Sequence, residues 1–176
     1  SGPSVSFGTP VSIGSAIDEL NHTAEITFDS NSNKVVFVYR DTGNSNYGTA
    51  IVGTVDSSDN SISFGSEAVF NAASTLSLNA TFDSNSNKVV IVYQDAGNSN
   101  HGTAIVGTVS GTSISFGSEV VFNAAEVENG LGIDFDTTRN KVIIGYRDNG
   151  NSGKASAIEG TVSGTSISFA TPIVFD

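Results

Sequence analysis

Short apolar runs separated by small polar residues extend along the whole chain, and no stretch has the 3.6-residue period of an amphipathic helix. Val, Ile, Phe, Thr and Tyr gather in runs of five to nine residues, separated by Gly, Asn, Ser and Asp. This pattern predicts β-strands joined by short turns. In the middle of the chain, it predicts strands at 76–82, 88–94, 102–109 and 113–122.

The second of these predicted strands is apolar on both faces. Val89, Ile91 and Tyr93 alternate with Val90 and Val92, and a strand of this kind is covered on both sides. The fourth strand begins with alternating serine and apolar residues, which is typical of an outer strand. Because the strands follow one another and the turns are short, we predict a four-stranded antiparallel meander.

The chain repeats this pattern. Residues 27–55 and 81–109 are identical at 25 of 29 positions, and 134–162 form a more diverged copy. The repeat period is 54 and then 53 residues, measured between the equivalent residues Phe28, Phe82 and Phe135. Kelch-type propeller blades have a similar period of about 50 residues.

A tail element of the form SISFGSE also recurs. Its four copies begin at Ser4, Ser61, Ser113 and Ser166. We therefore divide the chain into an orphan outer strand at 4–14 and three complete units. These are unit 1 (15–71), unit 2 (72–123) and unit 3 (124–176).

Composition and charge narrow the classes of function. The chain has 7 Lys and Arg against 18 Asp and Glu, so its formal charge of -11 argues against a nucleic-acid partner. It has no Cys, which excludes disulfides and thiolate sites. No apolar run is long enough to span a membrane. A polar surface with only 14% charged residues predicts an extracellular, virion-surface or cell-surface location. The start at Ser1 and the lack of Met are typical of a processed or cloned fragment.

The order of elements within a unit resembles the blades of sialidase-type propellers. A strand ends in Tyr-x-Asp, a Gly-rich loop and an Ala-Ile-Val strand follow, and the unit closes with a tail such as SGTSISFGSEVV. Those propellers carry bacterial neuraminidase repeats, or Asp-boxes, of the form Ser-x-Asp-x-Gly-x-Thr-Trp. The Asp of the box is absent here, and Phe64, Phe116 and Phe169 stand in place of its Trp. The resemblance implies propeller-type blades and transfers no catalytic residue.

Three such blades do not close a ring by themselves, because propellers have about four to eight. The apolar faces of the first and third units then need cover. A homodimer with six blades in one ring is the arrangement we favour, since closed symmetry is common. The alternatives are a slice of a longer array, an open stack and a packed sandwich. In the dimer, the extra N-terminal strand could replace an outer strand of the partner by swapping. Because the chain also ends with its own tail strand, one of the two would be spare or would form an exposed edge.

Candidate ligand-binding residues cluster at one predicted edge of the units. The loops 41–48, 95–102 and 148–154 share this edge with the inter-unit segments 16–22, 71–74 and 123–130. Loops on a rigid scaffold commonly carry binding residues. Near-identical units differ chemically at one loop position, and a ring there could stack on a ligand. The predicted ligand-binding residues are Tyr47, His101, Lys154, Asp41, Asp95, Asp148, Arg40 and Arg147.

Each of these candidates also has a structural interpretation. Asp41, Asp95 and Asp148 each precede a Gly by two residues, which is typical of Asx turns as well as of sugar-hydroxyl acceptors. The variable residues at the loop position suit an exposed loop tip equally well. The acidic residues of the inter-unit segments fit a solvated rim or a Ca²⁺ site; they are Asp18, Glu19, Glu126 and Glu128, with His22 nearby.

The opposite edge offers no convincing metal site. Asp29-x-Asn31-x-Asn33 and its copy at Asp83 resemble the start of a calcium loop, but Phe37 or Ile91 stands where an acid is needed. We interpret both as tight turns, and we predict no metal and no cofactor.

Catalysis also lacks support in the sequence. A sialidase-like reaction needs three converging arginines, whereas Arg40 and Arg147 occupy equivalent places and Arg139 lies in a turn at the opposite edge. No nucleophile elbow accompanies either histidine, and no phosphate loop is present. We therefore predict a non-catalytic module for adhesion or recognition, with a possible glycan ligand. A lectin-type propeller and a fragment of a larger sialidase-like hydrolase are the alternatives.

Overall fold

The computed structural model describes residues 7–13 and 24–175, in which regular structure is almost entirely β-strand. The 13 strands form one open sheet whose neighbours pair antiparallel, so the predicted all-β antiparallel class is confirmed. The strands are β1 (Ala24–Asp29), β2 (Lys34–Asp41), β3 (Tyr47–Asp56), β4 (Ser61–Phe64), β5 (Ala68–Asp83), β6 (Lys88–Asp95), β7 (His101–Ser110), β8 (Ser113–Phe116), β9 (Val120–Asp136), β10 (Lys141–Asp148), β11 (Lys154–Ser163), β12 (Ser166–Phe169) and β13 (Ile173–Val174). Short 3-10 helices occupy Ala96–Asn98 and Asn149–Asn151. No helix within the described ranges is long and apolar enough to cross a bilayer.

Strand pairing repeats from unit to unit. In unit 2, the second part of β5 pairs with β6, β6 pairs with β7, and β7 pairs with β8 and the start of β9. Unit 1 repeats this order with β1 to β5, and unit 3 repeats it with β9 to β13. Each unit is therefore a four-stranded antiparallel meander whose outer strand is made of two segments.

The outer strand of one unit continues into the first strand of the next. β5 and β9 run without interruption from one unit to the next. The predicted inter-unit loops at 71–74 and 123–130 are therefore wrong, since both segments are strand. Register shifts where β3 meets β5 and where β7 meets β9 bend the strand, so the chain passes from one unit to the next without a separate loop.

Apolar side chains fill two layers, one on each side of unit 2. Val89, Ile91 and Tyr93 pack towards unit 1, where they meet residues such as Val36 and Val38. We call this side of a unit its leading face. The alternate residues of β6 and β7 pack towards unit 3; they include Val90, Val92, Ala104 and Val106. We call this side the trailing face. The prediction that β6 is covered on both sides is confirmed.

A glycine at the break in each of the first two outer strands allows the next unit to approach closely. A Cβ placed on Gly65 would overlap the carbonyl oxygen of Thr112, and one on Gly117 would overlap that of Thr165. Thr112 and Thr165 lie in the turns between the third and fourth strands of the following units. Both junctions between units therefore use the same backbone contact, which only glycine permits.

The N-terminal segment makes the same contact with unit 1. A Cβ on Gly8 would overlap the carbonyl oxygen of Asn60, in the equivalent turn of unit 1. However, residues 7–13 carry no strand, so the predicted orphan strand at 4–14 is wrong over its described part. Its first three residues and Gly14 lie outside the described residues. The segment has the position of an outer strand, but its described residues form no strand pairing.

Candidate functional site

The same turn stands at one edge of every unit, between its second and third strands. Asp41, Asp95 and Asp148 end the second strands, and each Oδ1 accepts the backbone N–H two residues later at 2.9 Å. Asp41 and Asp95 are only 4% and 6% exposed. These contacts confirm the Asx-turn interpretation. Asp41 and Asp95 are buried, and their carboxylates accept hydrogen bonds from the backbone of the turn. Their role as acceptors for sugar hydroxyls stays a prediction.

Two of these turns are also tied to the preceding unit. Asn71 Nδ2 donates to Asp95 Oδ1 at 3.3 Å, and Asn123 Nδ2 donates to Asp148 Oδ1 at 3.1 Å. Asn71 is buried and also donates to Thr75 Oγ1 at 3.0 Å. Sequence reasoning missed this contact. The signal was available, since a Phe-Asn pair occurs at the same place in the tails of units 1 and 2.

The chemically variable side chains follow these turns directly. Tyr47, His101 and Lys154 are the first residues of β3, β7 and β11. They pair with Asp41, Asp95 and Asp148 respectively. Tyr47 and His101 are half-buried and Lys154 is exposed. We call this row the loop edge. One backbone scaffold thus presents a phenol, an imidazole and an ammonium in successive units.

The arginines lie at opposite edges, as predicted. Arg40 and Arg147 occupy the same register at the loop edge, opposite Gly48 and Ala155. Arg147 forms an ion pair with Glu128 and donates from Nε to the carbonyl of Gly153 at 3.1 Å.

The edge opposite the loop edge carries the turns between the first and second strands and between the third and fourth strands of each unit, and we call it the far edge. Arg139 lies in the turn between β9 and β10 at this edge and pairs with Asp136 at 2.8 Å. This exposed pair holds the pKa of Asp136 below its usual value, mainly through the side-chain hydrogen bond. The arginines therefore do not converge on one ligand within the chain.

Glu126 and Glu128, the acidic residues predicted in segment 123–130, accept hydrogen bonds from asparagine amides, and Glu128 also forms the ion pair with Arg147. Glu126 accepts from Asn100 and Asn149, both at 3.2 Å, and Glu128 accepts from Asn149 at 2.7 Å. Asp18, Glu19 and His22 lie outside the described residues. Within the described ranges, no group of three or more His, Asp or Glu side chains is placed to hold a metal ion.

The predicted tight turns at the far edge are confirmed. Asp29 Oδ1 accepts the N–H groups of Asn31 and Ser32 at 2.9 and 3.0 Å. Asp83 and Asp136 make the same pair of bonds in units 2 and 3. The carboxylates therefore close backbone turns, which accounts for the resemblance to a calcium loop.

The trailing face of unit 3 contains a cavity that sequence reasoning missed. Its volume is about 350 Å³. The lining residues are Gly130, Gly132, Gly145, Tyr146, Arg147, Gly153, Ala155 and Phe175. A second cavity of about 280 Å³ lies on the same face, beside Ile143 and Ile173. The sequence signal was the set of glycines in unit 3, of which Gly145 replaces the apolar residue found in units 1 and 2.

The chain matches no family model, no curated protein and no solved structure. Nothing in these comparisons identifies sialidase-type repeats, so that resemblance stays an expectation from the sequence.

Proposed function

We propose that this chain is a non-catalytic recognition module that binds surface glycans through its loop edge. In this proposal, the three units are propeller-type blades of sialidase-like ancestry. The observation that carries the proposal is that the turn is the same in every unit while the residue after it changes. Asp41, Asp95 and Asp148 hold one turn geometry, whereas the side chain that follows the turn differs in every unit.

Constant scaffold and variable side chain are the arrangement used by binding proteins. Tyr47 and His101 begin strands and are half-buried, and aromatic rings of this kind can stack on a sugar. The net charge of -11 disfavours polyanionic partners. A neutral or weakly charged glycan therefore fits this edge best, and an extracellular, virion-surface or cell-surface location fits such a ligand.

The two-chain ring stays a prediction. It would place unit 3 of one copy against unit 1 of the other. Ala170 stands where Gly65 and Gly117 make the junctions inside the chain, so such a ring would need a different contact at this point. Light scattering decides it: a mass of twice 18.0 kDa would establish the dimer, and a mass of one chain would contradict it.

A glycan array tests the recognition proposal. The wild type should bind a subset of glycans, and both Tyr47→Ala and His101→Ala should weaken those signals. Ser57→Ala, at an exposed position of the far edge, is the matched control and should bind like the wild type. An array without signals, or signals that survive both loop-edge changes, would overturn the proposal.

A further inference from the structure

The trailing face of unit 3 differs from those of units 1 and 2 at the positions that contact a following unit. Ala170 replaces the glycine of the backbone contact, and Glu159 replaces the valine found at Val52 and Val106. A side chain at the glycine position would overlap the turn of a following unit. A charge at the valine position would be buried at the junction, which is costly. This face is therefore not built to take a further repeat by the internal contact.

In the middle of the same face, glycines replace larger residues and leave open space. Gly132 and Gly145 stand where unit 2 has Asn79 and Val92. A Cβ on either glycine would meet nothing within 4 Å, so packing inside the chain does not require these glycines. Glycine inside a strand weakens it and marks a bulge or a place where a ligand or another backbone approaches closely. The ladder between β9 and β10 is bulged between Gly145 and Arg147, and the space above both glycines is open. Together with Gly130, these glycines line the cavity of about 350 Å³, which is within the size range of small-molecule sites.

An aromatic ring forms one wall of this cavity. Phe175 is 56% exposed, whereas the equivalent Phe70 and Phe122 are 5% and 8% exposed. Those two rings pack against Tyr93 and Tyr146 of the following units, with ring centroids 5.3 and 5.2 Å apart. In unit 3, the same ring borders open space.

Arg147 is the charged residue among those that line the cavity. Its ion pair with Glu128, which is not itself a lining residue, holds the Arg147 side chain in place. Both side chains are about half exposed, at 48% and 41%. The pair offers donors and acceptors together, and its charges compensate each other.

We propose that this cavity binds a single neutral pyranose ring. The C–H face of the sugar stacks on Phe175, and its hydroxyls accept hydrogen bonds from the Arg147 guanidinium. The glycine floor lets the ring lie close to the sheet. An anion is disfavoured because Glu128 already neutralises Arg147. The proposal rests on the proposed function only for its ligand class, and of the residues predicted at the loop edge it uses Arg147 alone.

An NMR titration tests the cavity. ¹H–¹⁵N spectra of the full chain are recorded with methyl β-D-glucopyranoside and methyl β-D-galactopyranoside up to about 50 mM, a range that detects millimolar binding. At least one sugar should shift the amides of Gly132, Gly145 and Ala155. Phe175→Ala should weaken binding by about tenfold, which corresponds to about 1.4 kcal/mol.

Two variants and one ligand control separate the outcomes. Gly145→Val restores the residue of unit 2 and should abolish the shifts while the fold is kept. Tyr47→Ala should leave them unchanged, so a loss at the loop edge alone is distinguishable from a loss at the cavity. Absence of shifts with both sugars, equal shifts with glycerol, or unaltered binding by Phe175→Ala would overturn the proposal.

Discussion

The hydroxyl of Tyr93 donates a hydrogen bond of 2.7 Å to Oε1 of Glu119 and so ties β6 to the break in the outer strand of unit 2. Tyr39 and Glu67 form the same bond at 2.6 Å in unit 1. In unit 3 the tyrosine is kept as Tyr146, but Pro172 replaces the glutamate. Among the described residues, the buried Tyr146 hydroxyl has no hydrogen-bond partner.

The first prediction is that Pro172→Glu stabilises the protein. A carboxylate at this position supplies the acceptor that Tyr146 lacks, and a buried donor without a partner costs about 1–3 kcal/mol. We expect the free energy of unfolding in urea to rise by about 1 kcal/mol. Pro172→Ala is the control, because it removes the proline ring without adding an acceptor. Equal stability of the Glu and Ala variants would show that the missing bond has no effect.

The second prediction concerns alkaline unfolding. Burial, and then the bond to Glu119, raise the pKa of Tyr93 far above its ordinary value of 10.0. The folded state therefore keeps the phenol neutral, while the unfolded chain ionises above about pH 10. The stabilisation is complete below pH 10 and is lost as the pH rises above it, with a slope of up to about 1.4 kcal/mol per pH unit for one group.

Urea unfolding of Tyr93→Phe between pH 8 and pH 11, a window set by the ordinary tyrosine pKa of about 10, measures this effect. The variant should be less stable than the wild type at pH 8 by about 1–2 kcal/mol. Its stability should then fall less steeply with pH. Tyr47→Phe at the loop edge is the matched control. Parallel pH profiles of wild type and Tyr93→Phe would contradict the assignment.

The third prediction is that glycine and alanine have opposite tolerance at equivalent positions. Gly117→Ala places a Cβ against the carbonyl of Thr165, and because backbone must move, we expect a loss of about 2–3 kcal/mol. Ala170→Gly meets no following unit among the described residues and should change stability by less than about 1 kcal/mol. Thermal and urea unfolding of both variants measure the difference. Equal costs at the two positions would refute the shared contact.

The sequence predicted the strands well because their burial follows from local pattern. The alternation of Val89, Ile91 and Tyr93 with Val90 and Val92 requires cover on both faces, and both layers are present. The passage between units was missed for a physical reason. A short polar segment such as 71–74 fits either a loop or a bulged strand, and the register with β3 decides between them.

In the candidate site too, local contacts were predictable from the sequence and long-range contacts were not. Asx turns at Asp41 and Asp95 were predictable because donor and acceptor are two residues apart. The bond from Asn71 to Asp95 joins residues 24 apart. The recurring Phe-Asn pair marks Asn71 in the sequence, but the partner of its side chain follows only from the packing of the units. The cavity lies on the face that meets no following unit among the described residues. The role of Gly145 therefore follows from the packing of the units and not from the sequence around it.

The central claim is that each unit packs on the next through one repeated backbone contact. Interproton NOEs on a ¹³C,¹⁵N-labelled sample test it most directly. The account predicts cross-peaks from the α-protons of Gly65 to the turn at Thr112, and the same set from Gly117 to Thr165. Absence of both sets, with NOEs that instead join distant strands into two continuous layers, would contradict it.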